Sequence, residues 1–315
     1  MADHVLVTGG AGFIGSHLVD ALLGSGHHVR VLDDFSTGLR DNLAGRKIEL
    51  FEGSITDTDL LRRSMDGVRI VFHLGALASV ARSVETPLVS HAACATGTLQ
   101  VLDAARKQGV QRVIYAASSS AYGGLSSEDG QKEDDPVAAL SPYAAAKLAG
   151  EYYCQAFTAT YGLETVRLRF FNIFGPRQRA DSPYSGVIAL FVAAMSQNRQ
   201  PTVHGDGKQS RDFTYVANAV HALIRAADAP SHVSGQVYNV GTGNSVSVLQ
   251  LVHALNTLLG KDLEPLFGPP RPGDVRFSKA DITRTRRDLG YEPTVDFMEG
   301  LRRTLDWYRT VATGR

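Results

Sequence analysis

The sequence predicts an α/β fold: a doubly wound parallel sheet with a smaller C-terminal lobe. Three observations carry that reading. Short apolar, β-branched runs (HVLVT at 4–8, HVRVLDD, KIELFEG, VRIVFHLGA, RVIYAASSS and ETVRLRFFNI) alternate with longer stretches whose apolar residues recur at helical spacing. That is the rhythm of βα units whose strands are buried on both faces. The first run leads straight into a glycine-rich turn, TGGAGFIGSH at 8–17, and the second ends in an acid. The texture then changes after about residue 176. Pro176, Pro183 and Pro201, the loop RQRADSPYSG and short polar pieces around PTVHGDGKQSRDFTY interrupt the rhythm before a strand returns at QVYNVGTG. Residues 1–176 therefore read as a nucleotide-binding core, rejoined by a strand near 237–241, with 177–315 supplying most of a second lobe interleaved with it. Helical patterns are expected over PLVSHAACATGTLQVLDAARKQG, over SPYAAAKLAGEYYCQAFTATYG, and near VLQLVHALNTLLG and DFMEGLRRTLDWYRTV.

Bulk properties narrow the function. With 315 residues the chain can bury a substantial core. Thirty-two basic residues balance thirty-two acidic ones, which leaves no electrostatic case for nucleic acid or an anionic membrane surface. Cys94 and Cys154 lie in helix-like stretches without CxxC spacing, so no disulfide frame or metal site is expected and a reducing compartment suits the chain. The N-terminus MADHVLVTGG has neither a basic n-region nor a long apolar h-region. The expectation is a soluble, cytoplasmic protein.

The glycine turn satisfies GxGxxG through Gly10, Gly12 and Gly15, and GxxGxxG through Gly9, Gly12 and Gly15. Glycines permit a tight strand-to-helix turn and a close approach of pyrophosphate, while the helix start offers unpaired N–H donors. Gly9, Gly12, Phe13, Ile14 and Gly15 are therefore expected against a dinucleotide, making this a Rossmann-like unit. Asp33 lies eighteen positions beyond Gly15, near the spacing at which a carboxylate accepts from the adenosine ribose. A carboxylate there repels a 2′-phosphate, so NAD is expected rather than NADP.

At 141–147 the chain reads SPYAAAK. Tyr143 and Lys147 share one helix face at i, i+4, with Ser141-Pro142 as the helix start. A free tyrosine ionises near pH 10, too high for a base at neutrality, and a neighbouring ammonium and a helix N-terminus both favour the phenolate. The expectation is a Tyr143 acidified by Lys147.

Taken in order, TGGAGFIG, YAASSSAYG, the Tyr143/Lys147 pair and RFFNIFGP (Arg169, Phe170, Asn172, Gly175, Pro176) resemble the extended short-chain dehydrogenase/reductase family. The resemblance is closest to its nucleotide-sugar 4-epimerases of the UDP-glucose and UDP-N-acetylglucosamine type. HGDGKQSRDFTYV, YNVGTG and RPGDV extend it over almost the whole chain. The resemblance implies that Tyr143 is the base, that Lys147 also binds the nicotinamide ribose, and that Ser118 bridges Tyr143 and the sugar O4. Ser119 and Ser120 then hold the sugar. Relatives that dehydrate or decarboxylate carry a carboxylate just after that first hydroxyl residue, because elimination needs a general acid there; this chain has two more serines, which argues for epimerisation. Arg211 and Arg271 match diphosphate-binding arginines, whose planar donors suit phosphate.

Asn172 matches the asparagine at the diphosphate and sugar end, which uronate-specific relatives tend to replace with threonine. Ser278 stands where glucose-only epimerases carry a tyrosine, so room for a 2-acetamido group is expected. Two positions depart from the family pattern: Ser54, beside Ile55, replaces an aspartate at the adenine, and Cys94 replaces an asparagine. His73 and His204 are expected to be packing or hydrogen-bonding residues. The resemblance also implies a homodimer. A nucleotide-sugar 4-ketoreductase, a UDP-glucuronate 4-epimerase and a non-catalytic NAD-binding sensor stand as alternatives, since fold alone does not fix function.

Overall fold

The computed structural model describes residues 3–123, 129–180, 185–270 and 275–312. Among them, seven strands form one parallel sheet: β1 (His4–Thr8), β2 (His28–Asp33), β3 (Glu49–Glu52), β4 (Ile70–His73), β5 (Arg112–Ser118), β6 (Glu164–Phe170) and an edge strand, Gln236–Val240. The order across the sheet is edge strand, β6, β5, β4, β1, β2, β3. The winding reverses between β4 and β1, which opens a crevice at the carboxyl ends of the strands.

The two-residue period of the strands sends alternate side chains into two cores. The helices of the first half are α1 (Phe13–Gly24), α2 (Thr58–Ser64), α3 (Val80–Glu85), α4 (Pro87–His91), α5 (Gly97–Lys107) and α6 (Pro142–Tyr161). Leu6, Leu32, Val113 and Tyr115 pack on one face with Leu61, Val101 and Leu102, and with Cys154 and Phe157 of α6. Val5, Val7, Val31, Ile114 and Leu168 face the opposite layer, where Leu18 and Leu22 of α1 meet Val220 and Leu223. Those last two belong to α8 (Val216–Asp228), which follows α7 (Val187–Ser196) in the chain. The chain beyond residue 176 thus contributes an edge strand and a covering helix to the layers built by the first half.

The rest of that half builds a third core. α7, α9 (Val248–Leu259) and α11 (Phe297–Ala312), the last after the short α10 (Thr283–Leu289), close over Phe174, Phe213 and Tyr215. Its strands are only two or three residues long and pair in twos: Thr214–Tyr215 beside Ile173–Phe174, Ser210–Arg211 against Val246–Ser247, and Thr202–His204 beside Leu266–Gly268.

One expectation needs correction. Residues 87–109 read as a single helical run, but a π turn over Ala92–Thr96 separates α4 from α5. The wider turn leaves Cys94 fully buried. It is followed by Gly97, where a Cβ would come within 2.6 Å of Ile55. Close packing against Ile55 therefore needs glycine at the start of α5, and π turns of this kind are frequent at functional sites.

Candidate active site

The carboxyl ends of the strands gather most of the candidate residues along one edge: Thr8 from β1, Asp33 from β2, His73 from β4, Ser118 from β5 and, two residues past β6, Asn172. At the β1 end Gly9 adopts φ +70°, and a Cβ on Gly15 would lie 2.1 Å from the Gly9 carbonyl oxygen. The turn is therefore closed to any other residue at Gly15. Gly12 is the N-cap of α1 and no side chain caps that helix, so Phe13, Ile14 and Gly15 bring backbone donors to a bare, positive helix end. This cradle fits the pyrophosphate of a dinucleotide. The buried Asp33 carboxylate accepts from the N–H groups of Ala11 and Phe35, both at 2.9 Å, which fixes it beside the glycine turn. Burial raises its pKa and the two backbone donors oppose the rise. The Ser54 hydroxyl closes a local turn with Thr56 at 2.8 Å, and Ile55 is buried against the glycines at 75 and 97.

The catalytic candidates converge at the start of α6. Ser141 caps the helix by accepting from Ala144 N–H, with Pro142 in its first turn, a standard N-terminal arrangement. The Tyr143 N–H is taken up by the buried Ser83 hydroxyl of α3 at 3.0 Å. The Ser118 hydroxyl is near enough to the Tyr143 phenol to lower its pKa. The Ser118 oxygen already accepts from the Ser120 N–H at 3.2 Å and from the Ser120 hydroxyl at 2.8 Å. Its own O–H is therefore the group left to donate toward Tyr143. Ser119 and Ser120 form a single 3₁₀ turn through Tyr122, whose hydroxyl is tied to Asn239 at 2.7 Å.

The expected acidification of Tyr143 by Lys147 is not produced by the chain alone. Burial pushes the phenol above its ordinary value, and the opposing influence is the Ser118 hydroxyl. Burial also lowers the Lys147 pKa. In this dry corner the cost of desolvating a charge is the largest influence on both groups. Glu151, one turn beyond Lys147 on α6, gives its carboxylate to Arg169 of β6 at 2.8 Å, and both are buried. That pair locks α6 to the sheet.

His73 is fully satisfied. Thr98 donates to the Cys94 carbonyl at 2.6 Å and so accepts from His73 Nε2 at 3.0 Å. Thr8 accepts from the Gly75 N–H at 3.1 Å and donates to His73 Nδ1 at 2.7 Å. The ring is a neutral bridge between β1 and α5, and burial depresses its pKa to about 3. His204 lies apart, against the Pro269 carbonyl at 3.1 Å.

The substrate candidates come together from distant segments. Asn172 occupies the left-handed region at φ +35°, which asparagine tolerates better than other non-glycine residues. Its amide donates to the Ser278 hydroxyl at 3.5 Å. The strand Ser210–Arg211 carries Arg211, and Asp212 follows it. The fully buried Asp212 carboxylate accepts from Thr242 N–H and O–H at 2.8 Å, from Gly243 N–H at 3.0 Å, and from Ala280 N–H and Thr214 O–H at 3.2 Å. Its backbone N–H donates to the Ser278 carbonyl at 2.6 Å. Asp212 thus fastens the segments bearing Arg211 and Ser278 to the turn after the edge strand. Arg271 lies outside the described residues.

Sequence reasoning passed over Asp212, Ser83 and Tyr115, each of which holds a candidate residue in place. Asp212 offered no signal of its own, since it stands between Ser210 and Thr214 in a polar stretch and its partners lie as much as 68 positions away. Ser83 offered none, because its partner is sixty positions away.

A dinucleotide cradle at the first βα turn, and a Tyr–Ser–Lys group beside it, define an NAD-dependent enzyme of the Rossmann class. Residues 5–241 match the NAD dependent epimerase/dehydratase family, and the chain belongs to that family. A UDP-glucose 4-epimerase of Mycolicibacterium smegmatis is 39% identical over 309 residues, spanning 96% of this chain and 98% of that protein. The crystal structure of a Thermotoga maritima UDP-glucose 4-epimerase with UDP-glucose superposes with a TM-score of 0.94 at 38% identity, covering 98% of this chain and 99% of that one. A Methanobrevibacter ruminantium UDP-N-acetylglucosamine 4-epimerase in complex with UDP-N-acetylmuramic acid gives 0.93 at 36% identity, with 98% and 99% coverage.

Proposed function

We propose that this chain is a UDP-sugar 4-epimerase that interconverts UDP-glucose and UDP-galactose and also accepts their 2-acetamido counterparts. When bound, NAD supplies a reversible two-electron oxidation at the sugar C4. Tyr143 removes the O4 proton and later returns it, with Ser118 donating to its oxygen and Lys147 supplying positive charge nearby. The 4-keto sugar stays attached to UDP, which Arg211 and Arg271 grip through the diphosphate, while the hexose rotates about that linkage and presents its other face. Ser119 and Ser120 hold the sugar hydroxyls, and the hydroxyl-only turn at 118–120 supplies no acid for elimination.

The observation that carries the substrate range is the Ser278 hydroxyl on the Asn172 amide, a position where serine is far smaller than the tyrosine expected of a glucose-only site. Similarity to both a UDP-glucose and a UDP-N-acetylglucosamine 4-epimerase supports the same range. Incubating the purified protein separately with UDP-N-acetylglucosamine, UDP-glucose and UDP-glucuronate, and resolving C4 epimers by NMR, tests it. Conversion of the first two without net reduction of cofactor is expected. Conversion of UDP-glucuronate alone would overturn the sugar assignment, and net consumption of reduced cofactor would make the enzyme a ketoreductase.

The acting form is proposed to be a homodimer in the cytoplasm. Val84, Leu88 and Val89 of α3 and α4 and Tyr152 of α6 are exposed on adjoining helices, and Leu88 borders an apolar hollow floored by Pro87, Pro142, Ala145 and Ala149. A protruding leucine beside a hollow is suited to self-complementary contact about a two-fold axis. Both cysteines are free and buried, which suits a reducing compartment.

A further inference from the structure

Tyr115 is the single aromatic residue of β5, RVIYAAS, and it is fully buried. It touches the helix that carries Tyr143 and Lys147 in three ways. The Lys147 ammonium lies 4.3 Å from the centre of the Tyr115 ring. The Tyr115 hydroxyl donates to the Lys147 carbonyl at 3.2 Å. Three residues on, α6 carries Gly150, where a Cβ would meet that hydroxyl at 2.3 Å. The chain thus omits a side chain at Gly150 so that this ring can lie under the lysine.

Lys147 is only 3% exposed, so water gives its charge little support. The groups around it offset only part of that loss, since burial still lowers its pKa. His73 on β4 is neutral at any working pH. Cys94 on the π turn faces the ammonium. On α6 itself, Tyr143 lies one turn before; Cys154 is kept a thiol, with burial pushing it up to about 12; and Glu151 is committed to Arg169. Glu151 favours the ammonium through its charge, and the ring face of Tyr115 lies directly against it, a contact strongest where water is excluded.

We propose that Tyr115 is the positioning residue for Lys147, its ring face seating the ammonium beside Tyr143. This rests on the proposed catalytic role of Lys147. It explains how a buried lysine holds its proton without a carboxylate of its own. A carboxylate there would neutralise the positive charge that Tyr143 needs, whereas a ring face supports the ammonium and leaves its net charge intact. The hydroxyl of Tyr115 serves the backbone of α6, so ring and hydroxyl have separable tasks.

The pH dependence of kcat reads this directly, because the basic limb reports loss of the Lys147 proton. Tyr115→Phe keeps the ring and should leave the basic limb unmoved, with kcat within about threefold of the parent. Tyr115→Met keeps the bulk and removes the ring; it should move the basic limb about one pH unit lower and cut kcat about tenfold. A folded Tyr115→Met enzyme with an unmoved basic limb would overturn the proposal. Should that variant not fold, phenylalanines bearing one, two and three ring fluorines at position 115 weaken the ring face without changing its shape. A stepwise fall of the basic limb is expected, and no movement would overturn the proposal. Lys147→Met separates the premise from the inference. An inactive Lys147→Met enzyme beside an unmoved Tyr115 series refutes the seat alone, and an active Lys147→Met enzyme removes the catalytic role on which it rests.

Discussion

On the cofactor side the glycine turn, Asp33 and His73 sit at the ends of neighbouring parallel strands, and the register of the sheet alone brings them level. Thr8 pairs with His73, and His73 with Tyr115, directly across the ladder. On the substrate side Asn172, Arg211 and Ser278 arrive from segments as much as 106 positions apart and meet where strands are two residues long. There a single buried carboxylate, Asp212, does the work that hydrogen-bonded register does on the other side. One half is ordered by repetition and the other by one knot, so the two should differ in what breaks them.

The largest effect is expected at the join, in the chemistry itself. Tyr143→Phe should lower kcat by about a thousandfold while NAD and UDP-sugar still bind, measured by turnover and by ligand-induced thermal shift. Loss of binding in parallel would place Tyr143 in assembly rather than proton transfer. Next comes the knot. Asp212→Ala leaves backbone donors of Thr242, Gly243 and Ala280 buried without an acceptor, a cost of about 3 kcal/mol. Calorimetry should show unfolding on the order of 5–10 °C earlier, with UDP-sugar affinity falling more than NAD affinity. Equal loss of both affinities would mean that the halves are not separately organised.

A smaller and more selective effect is expected from Ser278→Tyr. UDP-N-acetylglucosamine turnover should drop at least about tenfold relative to UDP-glucose, on the scale at which pocket shape discriminates, and an equal drop for both sugars would reject Ser278 as the gate. The smallest concerns pH. The unfolded chain protonates His73 near 6.5 and the folded chain only near 3, so between those values the unfolded state binds more protons and stability falls as pH falls. From pH 6.5 to 5 that amounts to roughly 2 kcal/mol. His73→Gln should flatten this part of the denaturation profile, and an unchanged slope would assign the acid sensitivity elsewhere.

The same contrast explains what could be read from sequence. β1, α1 and β2 were legible because period-two and helical patterns report burial directly, and Gly15 and Asp33 sit at offsets set by one βαβ unit. Ser141 and Pro142 announced the start of α6 for the same local reason. The π turn at Ala92–Thr96 was not legible, since its side chains repeat almost as a helix does and only packing against Ile55 distinguishes it. The Asp212 knot was not legible either, because its donors at Thr214, Thr242, Gly243 and Ala280 are largely backbone groups brought in by the fold. The rise of the Tyr143 pKa in the chain alone was not legible for a related reason: spacing reveals a neighbouring charge but not how dry the site is.

The most direct test follows UDP-glucose carrying deuterium at C4 through turnover by the unmodified enzyme in ordinary water. If Tyr143 handles only the O4 proton and C4 is oxidised and reduced within one closed site, the UDP-galactose formed will retain the deuterium at C4. Deuterium lost to solvent during epimerisation would mean proton abstraction at C4, and would contradict the account.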